Sequence, residues 1–169
     1  MTISTRAPRL AAITRRSSRP APPAGRRPRR RLALVLGPLL VLGLAACQPS
    51  AEQESVRSLI NESRGANGLQ AVGDELIVSY KAQRWAEHLA ATGTLSHSKL
   101  SADLDGLAWG AVAENVGRGT SIASVHKSFM ASSGHRANIL DRRWDRVGTG
   151  HAVGRDGRTY TVQVFVDLR

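Results

Sequence analysis

The chain carries one cysteine in 169 residues, and that cysteine divides nearly everything else the sequence is short of. A single thiol excludes an internal disulfide. Residues 1–46 hold no Asp, Glu, His or aromatic side chain, while residues 47–169 hold a single proline, Pro49. The longest apolar run, residues 32–46, has 15 positions and is broken by Gly37-Pro38. A helix needs roughly 20 apolar residues to cross about 30 Å of hydrocarbon, so this run is too short to span. The net charge of +11 is equally uneven: of 24 Lys and Arg, ten arginines precede Cys47, leaving 14 against all 13 Asp and Glu. A nucleic-acid-binding face needs cations clustered on the folded part. The near-neutral body argues against one.

Arg29-Arg30-Arg31, the short apolar run and the small residues at its end have the features of a secretory signal. Leu44-Ala45-Ala46-Cys47 resembles a bacterial lipobox, which implies cleavage before Cys47 and a diacylglyceryl group on its sulfur. The plainer reading is a secretory signal with an incidental cysteine. The basic stretch is long for a signal, so translation starts later or the arginine triplet is a weak twin-arginine signal; ordinary export is the preferred route. Two acyl chains hold a protein to a bilayer where one does so only marginally. Residues 1–46 are therefore read as a signal peptide, 47–54 as a lipidated tether and 55–169 as one domain. The expected location is the outer face of the cytoplasmic membrane, or the exterior if Cys47 is not lipidated.

Within the body, Val56, Leu59 and Ile60 stand at helical spacing before Gly65 and Gly68. The fold is expected to begin near Ser55. From Asp74 to about Thr92, Val78, Ala82, Trp85, Ala86 and Leu89 form an apolar stripe that Gly93 stops. A third helix is expected over Ser121–Ser132, with Ile122, Val125, Phe129 and Met130 on one face. The period then changes to two: Tyr160, Val162, Val164 and Val166 alternate with Thr161, Gln163 and Phe165. Arg146–Val153 reads as the antiparallel partner strand across Gly154-Arg155-Asp156-Gly157. A short central strand is expected around Val112–Val116. Helices first and a hairpin last indicate an α+β fold.

Three polar positions stand at the edges of these elements: His97, Glu114 and His135. Two imidazoles and a carboxylate with an open position make the ligand set of zinc or a similar divalent ion. No H-E-x-x-H spacing fixes that geometry here, and a lone His is more often surface or core than ligand. Glu114 has a structural alternative, anchoring buried N–H groups or pairing with Arg136. Asn115 and Asn138 read as amides bridging loops to the sheet, Trp85 as core, and Trp109 and Trp144 as loop residues packing at a rim. His88, His126 and His151 match no pattern and read as solvated. A Ser-His-Glu nucleophile using Ser132 or Ser98 lacks the G-x-S-x-G elbow.

In order along the chain come Asn61-x-x-Arg64-x-x-x-Gly68-Leu69, Ala82-x-x-Trp85-Ala86, His97-Ser98, Glu114-Asn115-Val116 and Gly134-His135-Arg136-Ala137-Asn138-Ile139-Leu140. Val147-Gly148-x-Gly150 and Tyr160-x-x-Gln163-x-Phe165 follow. Together, over about residues 55–167, they resemble the CAP superfamily (cysteine-rich secretory proteins, antigen 5 and pathogenesis-related proteins) in its short bacterial form. The resemblance implies an α-β-α sandwich with a small central antiparallel sheet and a cleft with a His/Glu/Glu/His tetrad. His97 matches its first His, Glu114 its first Glu and His135 its second His, while Ser132 stands where the second Glu belongs.

The function expected is thus a membrane-tethered binding module of unproven activity, leaning away from an enzyme. Its cleft would hold a divalent ion, zinc or another, through His97 and His135, with Glu114 as third ligand or as an acceptor behind them. One rival is a metal-dependent hydrolase of peptide, cell-wall or lipid esters, with Glu114 as its catalytic residue. Another is lipid or sterol carriage. The membrane is the expected partner through Cys47, the small-molecule ligand is unknown, and a monomer is expected.

Overall fold

The computed structural model describes residues 48–100, 104 and 106–168. The expected signal peptide and Cys47 lie outside the described residues. Among the described residues no helix is long and apolar enough to cross a membrane.

Helix α1 spans Ala51–Ala66. It begins four residues before Ser55, where the fold was expected to start, so residues 51–54 are helical. The reason is a capping box: Ser50 Oγ accepts from Gln53 N at 3.3 Å, and Gln53 Oε1 accepts from Ser50 N at 2.8 Å. Gln53 is itself buried and donates to the Thr149 carbonyl at 2.6 Å, tying the first turn to the sheet. After the two-residue strand β1 (Gly73–Asp74), helix α2 runs Leu76–Thr92 and stops at Gly93, whose φ of 70° no β-carbon favours. Strand β2 (Trp109–Gly119) follows, then α3 (Ile122–Ala131), α4 (Ser133–Ile139), β3 (Arg146–Val153) and β4 (Thr159–Leu168).

The sheet order is β1-β3-β4-β2. The β3–β4 pair is antiparallel, as the hairpin patterning predicts, and β2–β4 is antiparallel too. Two features differ from that reading. Gly73–Asp74 pairs parallel with Arg146–Val147, which makes the sheet mixed; a two-residue strand leaves too short a pattern to detect. The strand expected at the centre, β2, instead lies at the sheet's edge, and it is eleven residues long and includes Trp109, expected in a loop; Gly, Ala and Asn dilute its half-buried alternation.

Side chains alternate across β4 and divide the core. Tyr160, Val162, Val164 and Val166 pack with Val78, Ala82, Ala86 and Leu89 of α2. Phe165 faces the other way, among Val56, Ile60, Val125, Phe129, Ile139, Trp144 and Val147. The result is the expected α-β-α sandwich, with α2 on one face and α1, α3 and α4 on the other. Trp144 is a core residue, not a rim residue: it is 4% exposed and donates its Nε1–H to the Asn138 carbonyl at 2.7 Å. Trp85, expected in the core, is only half-buried at its edge.

Two contacts limit what the chain tolerates. A β-carbon at Gly148 would strike the Val78 backbone, and one at Gly150 the Ala82 backbone, so α2 lies directly on β3. Arg64 is 1% exposed and lies on the far face. It donates to the carbonyls of Gln70 (2.8 Å), Ile139 (2.9 Å) and Asp141 (2.8 Å), a cation held by main-chain oxygens between α1 and the segment after α4. Burial pulls its pKa below the ordinary guanidinium value.

Two of the histidines read as solvated are not. His126 Nε2 lies 2.8 Å from Ser63 Oγ, joining α3 to α1, and His151 is half-buried on β3. Burial lowers the pKa of both. Because their folded values lie below the unfolded one of about 6.5, the unfolded chain takes up protons first. Their stabilising contribution is complete above that pH and lost as the pH falls through the folded values. The melting temperature is accordingly expected to fall on acidification from pH 7 to 5, less steeply in His126→Asn. Gly150→Ala is expected to destabilise by about 3 kcal/mol or more in denaturant titration, since backbone cannot move aside as a rotamer can.

Candidate functional site

The site is built around the edge strand β2. Consecutive strand residues point to opposite faces, and Glu114 and Asn115 use this to anchor different segments. Glu114 turns towards the α2 side. Its side chain is 4% exposed, yet His97, which it touches, is 66% exposed. Glu114 Oε1 accepts from His97 Nδ1 at 2.7 Å and from Ser98 N at 3.0 Å. The expected pair with Arg136 does not form; Arg136 is exposed and reaches the Met130 carbonyl at 3.4 Å. A backbone N–H and an imidazole thus do the anchoring.

An ionised carboxylate can only accept, so the 2.7 Å contact selects the His97 tautomer with its proton on Nδ1. The lone pair is left on Nε2. The loop carrying His97 is held from a second side by Trp85, whose Nε1–H donates to the Ser96 carbonyl at 3.0 Å and whose ring stacks on His88 at 4.7 Å. This explains why Trp85 belongs to the site's frame: its ring packs against the core and its nitrogen is spent on the loop.

Asn115 is fully buried and faces α4. It donates to the His135 carbonyl and to Gln163 Oε1, both at 3.1 Å, and accepts from Asn138 Nδ2 at 2.9 Å. These bonds dock α4 on the strand, and with it the half-buried His135, whose ring lies 4.9 Å from that of Phe129. Burial, and secondarily the charge of His97, lowers the His135 pKa. Ser132 links α3 to α4, its N–H donating to the Phe129 carbonyl at 3.1 Å; no side-chain bond from it caps α4.

The three-ligand metal set is not what the geometry forms. Among the described residues no three His, Cys, Asp or Glu side chains gather as an ion site. Glu114 stands behind His97: one oxygen is occupied, and the other, Oε2, is sealed from solvent without a hydrogen-bond partner. A cavity of about 10 Å³ adjoins it, lined by Lys81, Trp85, Ser98, Leu104 and Val164 among others. That is room for about one water. What the geometry does show is one imidazole, His97, with an orienting carboxylate behind it, the usual partnership behind a metal-bound histidine.

Gln163 and Trp85 were not singled out as site residues from sequence. For Gln163 a signal existed: an amide in an otherwise apolar strand needs a partner, and here it is Asn115.

The sequence profile of CAP, the cysteine-rich secretory protein family, matches residues 57–165. This chain belongs to the CAP family. No curated protein matches it. The CAP fold is shared with an outer surface protein of Borrelia burgdorferi, at a TM-score of 0.63 and 16% identity, over 70% of this chain and 93% of that one. An extracellular protein of Bacillus anthracis containing an SCP domain gives 0.60 and 18%, over 68% of this chain but only 40% of that longer one. NaASP2, in a crystal structure with Zn²⁺, gives 0.56 and 10%, over 72% and 82%. This CAP domain thus has the architecture of bacterial extracellular relatives, with Ser132 where the family resemblance implies a second carboxylate.

Asn115→Ala strands the His135 carbonyl, Gln163 and Asn138 in the interior. It is expected to cost about 3 kcal/mol in denaturant unfolding, more than Asn138→Ala, which leaves two of Asn115's three bonds in place.

Proposed function

We propose that this CAP domain is a binding module held at the outer face of the cytoplasmic membrane by acylated Cys47, and that its cleft takes a divalent cation such as zinc through His97 and His135. The observation that carries the reading is the 2.7 Å contact between the sealed Glu114 carboxylate and His97 Nδ1. It holds Nε2 free as a neutral donor, and a carboxylate behind a ligating imidazole raises its basicity. The second imidazole, His135 on α4, supplies the other protein donor. NaASP2, a structural neighbour, has been crystallised with Zn²⁺, which is support from fold alone. A bound ion would supply Lewis acidity and open positions for water or an anionic ligand.

Binding is favoured over metal-assisted hydrolysis by the same geometry. A proton-moving Glu114 would have to reach the cleft with a free oxygen, and its only unengaged oxygen is closed off from solvent. The absent second carboxylate at Ser132 removes the other candidate.

Zinc titration followed by thermal shift tests the proposal. The chain is expected to gain stability with zinc, His97→Ala to gain none, and Glu114→Gln to bind about 10–100-fold more weakly. Equal zinc stabilisation in wild type and His97→Ala, or none in the wild type, would contradict it.

A further inference from the structure

The first turns of α2 present an apolar patch that stands exposed among the described residues. Leu76 is 51% exposed, Ile77 54% and Tyr80 64%. The three lie on one face of the helix, and with Gln48 and Pro49 they line a hollow of about 380 Å³. Exposed apolar residues are ordinary singly, but a contiguous group beside a chain segment marks a contact surface. One turn on, the same face changes character: Arg84 and Glu87 pair at 3.1 Å. The apolar area is therefore confined to one end of α2.

We infer that this patch rests on the lipid bilayer, with Ile77 and Leu76 in its interfacial layer and Tyr80 at its polar boundary. The inference builds on the anchored reading of Cys47 and adds the orientation of the domain. Consecutive Cα atoms are about 3.8 Å apart, so Gln48, which lines the hollow, is one such step from Cys47. Rigid helix begins at Ala51, at most about 14 Å of extended chain beyond that cysteine. The Ser50–Gln53 capping box and the Gln53–Thr149 bond fasten that short segment to the domain. An acyl group on Cys47 consequently cannot enter the bilayer without bringing this end of α2 to its surface. An amphipathic aromatic such as Tyr80 suits the headgroup level, and the Arg84–Glu87 pair limits penetration to the first turns. Trp85, which holds the His97 loop, lies eight residues past Ile77, about 12 Å along the helix. The cleft therefore opens close to the bilayer yet clear of it, where an envelope ligand is met at the headgroup surface.

The test uses the full chain, processed in a bacterial host and reconstituted into phosphatidylethanolamine–phosphatidylglycerol vesicles that contain nitroxide-labelled lipid. A thiol-reactive, environment-sensitive fluorophore is placed on Ile77→Cys or on Arg155→Cys. Arg155 lies in the exposed turn whose Gly154 packs by Ala90, at the far end of α2. The expected result is one reactive thiol per chain in each variant, with most of the Ile77→Cys signal lost to the lipid nitroxide and the Arg155→Cys signal retained. Two reactive thiols per chain would show Cys47 unmodified, which overturns the anchor and this inference together. A single reactive thiol with equal quenching at both positions would leave the anchor standing and overturn the inference alone. A label at Ile77→Cys that is shielded from water but not quenched would mean that a second copy or another protein covers the patch, and would overturn it as well.

Discussion

The whole cleft depends on one buried carboxylate. Glu114 sits on the edge strand with its side chain closed to solvent, and an ionised group in that position must be compensated. It is compensated locally by two donors from the following loop of α2, the His97 ring and the Ser98 N–H. The strength of charge-assisted hydrogen bonds makes this pairing both an anchor for the loop and a lock on the imidazole. The exposed imidazole is thus positioned by a carboxylate closed to solvent.

The edge position of β2 explains how elements from opposite faces of the sandwich meet. A central strand would be flanked by neighbours on both sides and would keep the faces apart. On an edge, Glu114 can hold the loop from the α2 layer while Asn115, the next residue, holds α4 from the other layer. The close approach of α2 to β3 at Gly148 and Gly150 belongs to the same frame, since α2 carries Trp85 and so the loop. Arg64 does a parallel task on the far face, fastening the segment that follows α4 by its carbonyls.

Much of this was legible in the residues. The α2 stripe, the α3 face, the β3–β4 hairpin and the family pattern through Gly134–Leu140 each follow from periodicity or motif. His97, Glu114, His135, Asn115 and Asn138 stand out in the sequence as candidate positions. Their roles were less legible, because role depends on which atom faces which. Nothing in spacing distinguishes a carboxylate beside an ion from one behind a histidine, and only coordinates show that Arg136 points away from Glu114. The early start of α1 was readable in Ser50-x-x-Gln53, a capping box with Gln at its third position. The parallel pairing of Gly73–Asp74 was not, since two residues carry no period.

The account's central claim concerns a proton on one nitrogen. Long-range ¹H–¹⁵N correlation spectra of the chain, recorded at neutral to mildly alkaline pH, report the tautomer of each imidazole directly. The account predicts that His97 carries its proton on Nδ1 and an unprotonated Nε2, and that Glu114→Gln returns it to a tautomer mixture. Finding His97 with its proton on Nε2, or in the same mixture with and without the carboxylate, would contradict it.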